Sequence, residues 1–344
     1  MGKLKNIQWK NIYYMICYCV EELEYFDDSE IDYEKVTGTH DLLAQLLVNS
    51  FEKILINGYT NRYTGEEIIT DKPYGIINIE KSYQTGEYGQ GRLICEISKY
   101  NENNYENQII KAAFNLLLDA NEKLDSPISD DLNVKLNRYR NKLNNVDNIK
   151  MTKEKVDKIN IKQVERWYRP AIAVSKLIIN DYIALDKDSE TCLLHLNDQT
   201  RLCRIWEKFI RNYIKVEYEY KQSGIEVTRP VYQFRGKPRI FDMLVTNNCN
   251  NRALIIDTKW YEQGNTSTRN DDQINTYCTL LKRDKNYLNV TGCLVYGYDE
   301  DSTLVDYLEP DIDDWALATH KININQDFDK IKSDISNMVD EYIT

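Results

Sequence analysis

The sequence predicts a mixed α/β (α+β) protein with three parts. These are a β-rich N-terminal region at residues 1–100, a helical middle at residues 101–198, and a C-terminal domain with a mixed central sheet at residues 199–344. Strand-like stretches near turn residues characterise the first part, and apolar residues at helical spacing characterise the second. The last part follows the order α-β-β-β-α-β, and the length suits two domains and a connecting region.

The N-terminal region mixes strand-like and helical patterns. The aromatic-rich block from Ile12 to Val20 fits either a buried strand or a short helix, and Asp41 to Leu55 has apolar residues at helical spacing. Three strands are predicted, at Arg62 to Thr70, Tyr74 to Ile79 and Arg92 to Ile97. The first two, separated by Asp71-Lys72-Pro73, are expected to form a strand pair.

The middle region is predicted to be helical. Its helices are expected at Tyr105 to Leu124, Asp130 to Leu143 and Lys162 to Leu185. Pro170 is expected to break or kink the last of these, because proline lacks a backbone donor and clashes with the preceding turn.

A basic stretch lies in this middle region, although the whole chain has a formal net charge of −11. Between residues 135 and 169 there are eleven Lys or Arg and four Asp or Glu, a local balance of +7. Such a stretch favours phosphate binding, and a solvated helical face explains it equally well. The candidate DNA-binding residues are Arg138, Arg140, Lys142, Arg166 and Arg169.

The C-terminal part begins with a strongly amphipathic helix, whose apolar residues run from Leu202 to Tyr213 at helical spacing. The elements predicted after it are strands at Ile225 to Gln233, Arg239 to Thr246 and Ala253 to Tyr261, a helix at Asp271 to Leu281 and a strand at Leu288 to Tyr298.

Charged residues interrupt two of these apolar strands. If the Asn-rich turn at residues 247–252 is centred between Cys249 and Asn250, Asp242 lies directly opposite Asp257. Asp257 and Lys259 are two residues apart and therefore share a face of the strand. Both faces are otherwise apolar, with Ile240 expected on the face of Asp257 and Phe241 on the other, so both strands are expected to be central.

Two opposed aspartates in a buried hairpin repel each other and lose hydration. A divalent cation removes this repulsion, and Mg²⁺ prefers a few carboxylate oxygens with water and substrate phosphate. We therefore predict that Asp242 and Asp257 bind Mg²⁺, with Mn²⁺ as the other candidate. Lys259 would activate a water or stabilise charge on a phosphate. The alternative for Asp257 and Lys259 alone is a structural ion pair.

Three further residues are candidates for the site. Glu207, at the edge of the apolar stripe of the first helix, is predicted to reach the metal, or else to form a salt bridge at the rim. Gln273 and Tyr277 are four residues apart and share a helix face. They are predicted to position the substrate or Lys259, or else to belong to an ordinary helix surface.

Other kinds of site are poorly supported. The eight cysteines form no CxxC pair and lie in apolar stretches, which indicates reduced thiols. The three histidines are far apart in sequence. No apolar run approaches the roughly 18 residues of a membrane span and no signal peptide is evident, so a cytoplasmic protein is predicted. The phosphate-loop motif is absent from the sequence, so the chain is not expected to hydrolyse nucleotides.

Taken together, these residues resemble the PD-(D/E)xK nuclease superfamily and, more closely, the McrC family over nearly the whole chain. The blocks that carry the family resemblance are Asn11-Ile-Tyr-Tyr-Met-Ile-Cys-Tyr18, Gly91-Arg-Leu-Ile-Cys95, Asn107-Gln-Ile-Ile-Lys111 and Ile255-Ile-Asp-Thr-Lys259. Many members have proline before the first catalytic aspartate, whereas Phe241 stands here. The family is also usually richer in Arg and Gly near residue 75.

The resemblance implies a function and a partner. It implies a Mg²⁺-dependent DNA endonuclease subunit, with Glu207, Asp242, Asp257 and Lys259 in its centre, that acts on DNA carrying modified cytosine. The implied partner is a hexameric AAA+ GTPase of the McrB type, which would use the GTP and whose hydrolysis the subunit would stimulate. We place the docking element at Gly58 to Tyr83, where the expected strand pair would project as a finger.

Two other functions remain open. One is a regulatory or scaffold subunit with a silent nuclease centre, which the presence of Asp242, Asp257 and Lys259 disfavours. The other is a stand-alone repair nuclease of the same superfamily. The first hundred residues add no visible catalytic chemistry and therefore favour a protein that depends on a partner.

Overall fold

The computed structural model describes residues 8–20, 31–121, 128–186, 198–234, 236–260, 268–284, 287–298, 307–312 and 315–344. The chain divides into two compact units. Residues 40–195 form one, called the inserted unit, and residues 1–39 with 196–344 form the other, called the sheet unit. The predicted boundary at residue 198 lies close to the end of the inserted unit, and the boundary predicted at residue 100 lies inside it.

The inserted unit contains six helices and three strands in its described part. Its elements are α2 (Thr39–Asn57), β1 (Arg62–Thr70), β2 (Ile76–Ile77), α3 (Ile79–Gln84), β3 (Leu93–Asn101), α4 (Tyr105–Asn121), α5 (Asp130–Lys142), α6 (Lys153–Lys158) and α7 (Arg169–Asp186). Phe51 of α2 packs against Phe114 of α4 and Tyr139 of α5, with ring centroids 5.2 and 5.6 Å away. These contacts place the core of the unit among its helices.

The helix predictions for this unit are confirmed over the described residues, with one correction. Residues 122–124, at the predicted end of α4, lie outside the described residues. Pro170 does not interrupt a helix that starts at Lys162. Instead α7 begins at Arg169, so Pro170 lies in the first turn, where a missing backbone donor costs nothing.

The small sheet of the inserted unit has the strand order β1-β3-β2. The first strand has the predicted bounds, but the expected pairing of β1 with β2 is wrong, because both strands pair antiparallel with β3. The description of residues 1–100 as β-rich holds only from Arg62 onwards, since α1 (Trp9–Val20) and α2 are helices. The block from Ile12 to Val20 is therefore helical.

The sheet unit contains α1 and a six-stranded sheet of order β10-β11-β9-β8-β7-β4. Its other elements are α8 (Asp198–Ile214), a π-helical turn (Lys215–Glu219), β4 (Ile225–Thr228), β5 (Val231–Phe234), β6 (Lys237–Ile240), β7 (Met243–Asn247), β8 (Arg252–Trp260), α9 (Thr268–Asp284), β9 (Asn289–Tyr298), β10 (Tyr307–Ile312), β11 (Trp315–Asn323) and α10 (Phe328–Ile343). Strands β8, β9 and β11 are parallel, and β7 is antiparallel to β8.

Two predicted strands are each interrupted. Residues 225–233 divide into β4 and β5 around Pro230, and residues 239–246 divide into β6 and β7 around Phe241 and Asp242. Among the described strands, β5 and β6 pair with each other and with no other strand, as a separate hairpin. The predicted face assignment is therefore wrong: Ile240 is exposed, and Phe241 is buried beside Leu244. The predicted register of β7 against β8 is confirmed, because Met243 pairs with Ile256.

Helix α9 covers one face of this sheet, where Ile274, Cys278 and Leu281 join the apolar cluster around Leu244 and Ile255. Helices α8 and α10 also contact β8, and the Trp206 indole of α8 donates to the Val295 carbonyl at 3.4 Å. The central strands are therefore buried on both sides, as predicted. No helix in the described ranges is long and apolar enough to cross a membrane.

Candidate metal and nuclease centre

Strand β8 extends past its neighbour β7, and this extension forms the base of the site. The pairing of β7 with β8 begins at Met243 and Ile256, whereas β8 remains paired with β9 as far as Trp260. Asp257 and Lys259 therefore lie where, among the strands that the structure describes, none pairs with one side of β8. A free strand edge at the end of a buried sheet leaves room for side chains and a ligand.

Asp242 lies in the break between β6 and β7, directly before the first paired residue of β7. Its Oδ2 accepts hydrogen bonds from the Thr258 backbone N–H at 3.0 Å and from Thr258 Oγ1 at 3.2 Å. The carboxylate thus takes the place of the missing strand partner for this part of β8. The last pair of β7 and β8 is Met243 with Ile256, which leaves Asp242 and Asp257 as the next residues along the two chains.

Asp257 is fully buried, and its two carboxylate oxygens have different surroundings. Oδ1 accepts from Gln273 Nε2 at 3.1 Å. Oδ2 is in contact with the Lys259 ammonium, and no hydrogen-bond donor from the rest of the described chain reaches it. The ion pair with Lys259 offsets part of the charge on Oδ2. Even so, this buried oxygen retains acceptor capacity that is not used.

Charge and burial shift the pKa values of both residues. Burial, followed by the nearby Asp242 carboxylate, raises the pKa of Asp257 to about 6, although the contact with Lys259 acts to lower it. Burial acts to lower the pKa of Lys259, but the charges and hydrogen bond of its neighbours, Asp257 first and then Asp242, together raise it. Two carboxylates that repel each other therefore lie close together in the site, and the Lys259 ammonium offsets part of their negative charge.

These residues fit a divalent cation. The unused acceptor on Asp257 Oδ2 and the adjacent Asp242 carboxylate offer oxygen donors of the kind that Mg²⁺ prefers. Within the described ranges, no three His, Cys, Asp or Glu side chains are grouped closely enough to hold a metal ion. Water or substrate oxygens would therefore have to complete the coordination, as is usual for Mg²⁺.

Glu207 is close to the centre but is engaged elsewhere. Its Oε1 accepts from Arg211 at 3.0 Å and forms an ion pair with Arg229 at 3.2 Å. Arg211 also reaches the Asp242 backbone carbonyl at 3.5 Å. In this structure Glu207 forms the predicted alternative, a salt bridge at the rim, while its charge contributes the smallest of the effects that raise the pKa of Asp257.

Gln273 and Tyr277 join the site from α9. Gln273 Nε2 donates to both Asp257 Oδ1 and the Tyr277 hydroxyl, at 3.1 and 2.8 Å. The Tyr277 hydroxyl donates to the Ile240 carbonyl at 3.1 Å, and its ring lies 4.3 Å from that of Phe241. Gln273 thus orients the Asp257 carboxylate, which differs from the predicted action on Lys259 or substrate. Tyr277 fixes the chain just before Asp242.

Three residues that contact the site were absent from the predicted set. Thr258 lies between the two motif residues of β8, and its contact with Asp242 depends on the break in the neighbouring strand. Arg211 follows Glu207 by four residues on α8, a spacing that predicts an ion pair. Arg229 carries no sequence signal for its contact, because its partner on α8 is 22 positions earlier in the chain.

The five predicted DNA-binding residues all lie in the inserted unit, whereas the centre lies in the sheet unit. Arg138, Lys142 and Arg166 are exposed, and Arg140 is half-buried. The Arg169 guanidinium donates to the backbone carbonyls of Val164 and Lys162, at 3.3 and 3.1 Å. Arg169 thereby stabilises the turn before α7, and the role of all five in DNA binding stays a prediction.

Comparison with known proteins identifies the family. The family described as McrBC 5-methylcytosine restriction system component matches residues 1–297. The chain belongs to this family. The Type IV methyl-directed restriction enzyme EcoKMcrBC of Escherichia coli (strain K12) is 22% identical to this McrBC component over 353 residues, covering 97% of each protein.

A solved structure shares the fold of this McrBC component. It is the refined half-complex from a tetradecameric assembly of Thermococcus gammatolerans McrB AAA+ hexamers with bound McrC. The TM-score is 0.52 at 11% identity, over 97% of this chain and 76% of that chain. The family resemblance and the mixed α/β fold predicted from the sequence are therefore confirmed.

Proposed function

We propose that this McrBC component is the DNA-cleaving subunit of a GTP-dependent restriction complex that acts on DNA with modified cytosine. The reaction is Mg²⁺-dependent hydrolysis of a phosphodiester bond. The observation that carries the proposal is the buried, incompletely satisfied Asp257 beside Asp242 and Lys259, at the open end of β8. Burying this charge costs free energy, and a bound cation would offset that cost.

The residues of the centre have separate roles in this proposal. Asp242 and Asp257 would hold the cation, which when bound supplies Lewis acidity and a more acidic water. Gln273 keeps the Asp257 carboxylate in one orientation through its hydrogen bond. Lys259, whose ammonium is charged at neutral pH, orients the attacking water and stabilises negative charge on the phosphate. Its raised pKa suits the second role, since Lys259 then remains a cation.

We further propose that an AAA+ GTPase is the partner and that this chain stimulates its GTP hydrolysis. The relative from Thermococcus gammatolerans, described as McrC bound to McrB AAA+ hexamers, supports the kind of partner. This sequence contains no phosphate-loop motif, which suits a subunit that leaves GTP hydrolysis to its partner. We also propose a cytoplasmic location, because no disulfide joins the seven cysteines among the described residues.

The docking element is proposed to lie at Gly58 to Tyr83, within the small sheet of the inserted unit. This sheet and the turns beside it carry an unusual number of exposed apolar side chains, which commonly mark protein interfaces. They are Tyr63, Ile69, Tyr74, Ile76, Ile77, Ile79, Tyr83, Tyr88 and Tyr100. The proposed docking element is therefore a three-stranded sheet and not a two-stranded finger, because β1 and β2 both pair with β3.

Cleavage of methylated plasmid by the chain with its GTPase partner, GTP and Mg²⁺ tests the nuclease proposal. Asp257→Ala is expected to reduce cleavage by about 10³-fold or more while GTPase stimulation persists, because only the metal-binding carboxylate is removed. Asp272→Ala, on the exposed face of α9, is the matched control and should cleave normally.

The outcomes separate the candidate functions. Equal cleavage by wild type and Asp257→Ala would show that the centre is elsewhere. If neither cleaves any of several modified substrates but both stimulate GTP hydrolysis, the regulatory-subunit function replaces the nuclease. Cleavage by wild type without any partner would favour a stand-alone nuclease.

A further inference from the structure

A two-stranded hairpin stands beside the centre and has no role in the function proposed so far. It consists of β5 and β6, which pair antiparallel with each other and form a sheet separate from the six-stranded one. An isolated two-stranded hairpin is marginally stable in water. Its position must therefore be maintained by contacts with the rest of the sheet unit.

Those contacts connect the hairpin directly to the centre. Before β5, Arg229 forms an ion pair with Glu207 at 3.2 Å, and the Pro230 carbonyl accepts from the Phe241 N–H at 3.1 Å. In β5, the Tyr232 ring stacks on that of Phe241 with centroids 5.0 Å apart. After β6 the chain reaches Asp242 within two residues. The hairpin and the catalytic segment are thus held as one element.

The hairpin is strongly basic in a chain that is acidic overall. Residues 229–240 contain four Lys or Arg and no Asp or Glu, while the whole chain has a net charge of −11. The basic residues are Arg229, Arg235, Lys237 and Arg239. A local positive potential in an acidic protein concentrates a polyanion at that surface.

The exposed cations are aligned on one face. Strand pairing places Arg239 opposite Tyr232 and Lys237 opposite Phe234, so these four side chains share a face of the hairpin. All of β6 is exposed, whereas Tyr232 and Phe234 are half-buried. The Tyr232 ring packs against Phe241, whereas Lys237 and Arg239 on the neighbouring strand are exposed to solvent.

We propose that the β5–β6 hairpin binds the DNA sugar-phosphate backbone next to the scissile bond, with Lys237 and Arg239 as phosphate contacts. This inference rests on the proposed nuclease function. DNA is the occupant chosen because the surface is cationic, lacks acidic residues and adjoins Asp242. Contacts to phosphate carry no sequence information, so the hairpin positions the duplex without reading the modification.

The test measures DNA affinity in the absence of divalent metal, so that binding is separated from cleavage. The double variant Lys237→Gln/Arg239→Gln of the full chain is compared with the control Arg283→Gln/Lys330→Gln. The control removes the same charge from exposed positions on α9 and α10. Fluorescence anisotropy with a labelled duplex is recorded between about 50 and 200 mM salt, a range over which phosphate contacts dominate the salt dependence.

The hairpin variant is expected to bind about 10-fold more weakly than the control. The slope of log K against log salt should become shallower by about 1.8, since each lost phosphate contact contributes about 0.9. The loss should be equal for methylated and unmodified duplexes. A loss confined to methylated DNA would overturn the proposal, because the hairpin would then be reading the base.

Other results would overturn the proposal in distinguishable ways. If wild type cleaves DNA and the hairpin variant binds it as tightly as the control, the nuclease function stands and the hairpin inference fails. If the variant loses only the stimulation of GTP hydrolysis, the hairpin is a partner surface. If wild type neither binds nor cleaves DNA, both the inference and the nuclease function fail.

Discussion

The end of β8 and the small sheet of the inserted unit depart from ordinary globular proteins in opposite ways. The first buries charged groups, with Asp257 fully enclosed, whereas the second exposes large apolar side chains such as Tyr74 and Ile76. Soluble proteins avoid both arrangements unless something compensates for them. A cation would compensate the first and a protein partner the second. In the function that we propose, the sheet unit therefore carries the chemistry and the inserted unit the assembly with the partner.

After the loss of Asp257 itself, the substitution expected to reduce DNA cleavage most is that of Gln273. Gln273→Ala removes the hydrogen bond to Asp257 Oδ1 and leaves that buried oxygen unsatisfied. Outer residues that orient metal ligands typically contribute about 10- to 100-fold in affinity or activity. We expect a loss of this size in cleavage, with a higher Mg²⁺ concentration needed for half-maximal rate.

Thr279→Ala is the control for this prediction, because Thr279 is exposed on the same helix and only bonds locally to the Asn275 carbonyl. Cleavage by Gln273→Ala with an unchanged Mg²⁺ requirement would contradict a role in orienting Asp257. Stimulation of GTP hydrolysis should remain normal in both variants, since both changes lie in the sheet unit.

Substitutions in the small sheet of the inserted unit are expected to reduce GTPase stimulation and to leave the nuclease centre intact. The double variant Tyr74→Ser/Ile76→Ser replaces side chains that are 64% and 72% exposed. The folded chain buries little of either residue, so its melting temperature should scarcely change. Binding to the GTPase, however, should lose the burial of two large apolar groups. Removing such anchors typically costs more than about 1 kcal/mol each, so GTPase stimulation at limiting concentration should fall about 10-fold or more.

Tyr220→Ser/Leu288→Ser provides a matched control in the sheet unit, because these side chains are 69% and 72% exposed. Equal GTPase stimulation by the two double variants would contradict a docking surface on the small sheet of the inserted unit. If the control alone fails, the docking surface lies in the sheet unit.

The sequence predicts the residues that meet at the candidate site more accurately than it predicts the bounds and pairing of the strands around them. The Asn-rich turn sets the register of β7 against β8, because pairing in an antiparallel hairpin follows from the position of its turn. That register leaves Asp242 and Asp257 as the next residues beyond the last strand pair, Met243 with Ile256. The break after Ile240 could not be predicted, since residues 239–246 are apolar enough for one strand. It depends on Phe241 packing against Tyr277, which is 36 positions away.

The pairing of β1 with β3 also depends on residues that are distant in sequence, so local patterns do not predict it. Residues 62–70 and 74–79 are separated by a turn-like sequence, and local patterns therefore favour a hairpin. In the structure β3 pairs with both strands, which satisfies more of its backbone groups than a simple hairpin would. The sequence does not decide between a strand and a helix for α1, because nine apolar or aromatic residues in succession have no clear period.

The smallest expected effect concerns stability and links the buried charge to pH. Burial raises the pKa of Asp257 to about 6, above the value of about 4 in an unfolded chain. Between these values the folded protein binds more protons than the unfolded chain. Without metal, its free energy of unfolding therefore falls as pH rises from about 4 to 6. A shift of about two pKa units corresponds to a loss of at most about 3 kcal/mol.

Asp257→Asn should abolish this dependence, because the amide does not titrate. Lys259 remains protonated throughout the window in folded and unfolded chains, so it adds no slope of its own. Denaturant unfolding without metal, at several pH values from about 4 to 7, should therefore show the stability of wild type declining relative to the variant. Parallel profiles would show that Asp257 is not held as a destabilised charge. Addition of Mg²⁺ above pH 6 should restore stability to wild type alone, because the cation binds the ionised carboxylate that the variant lacks.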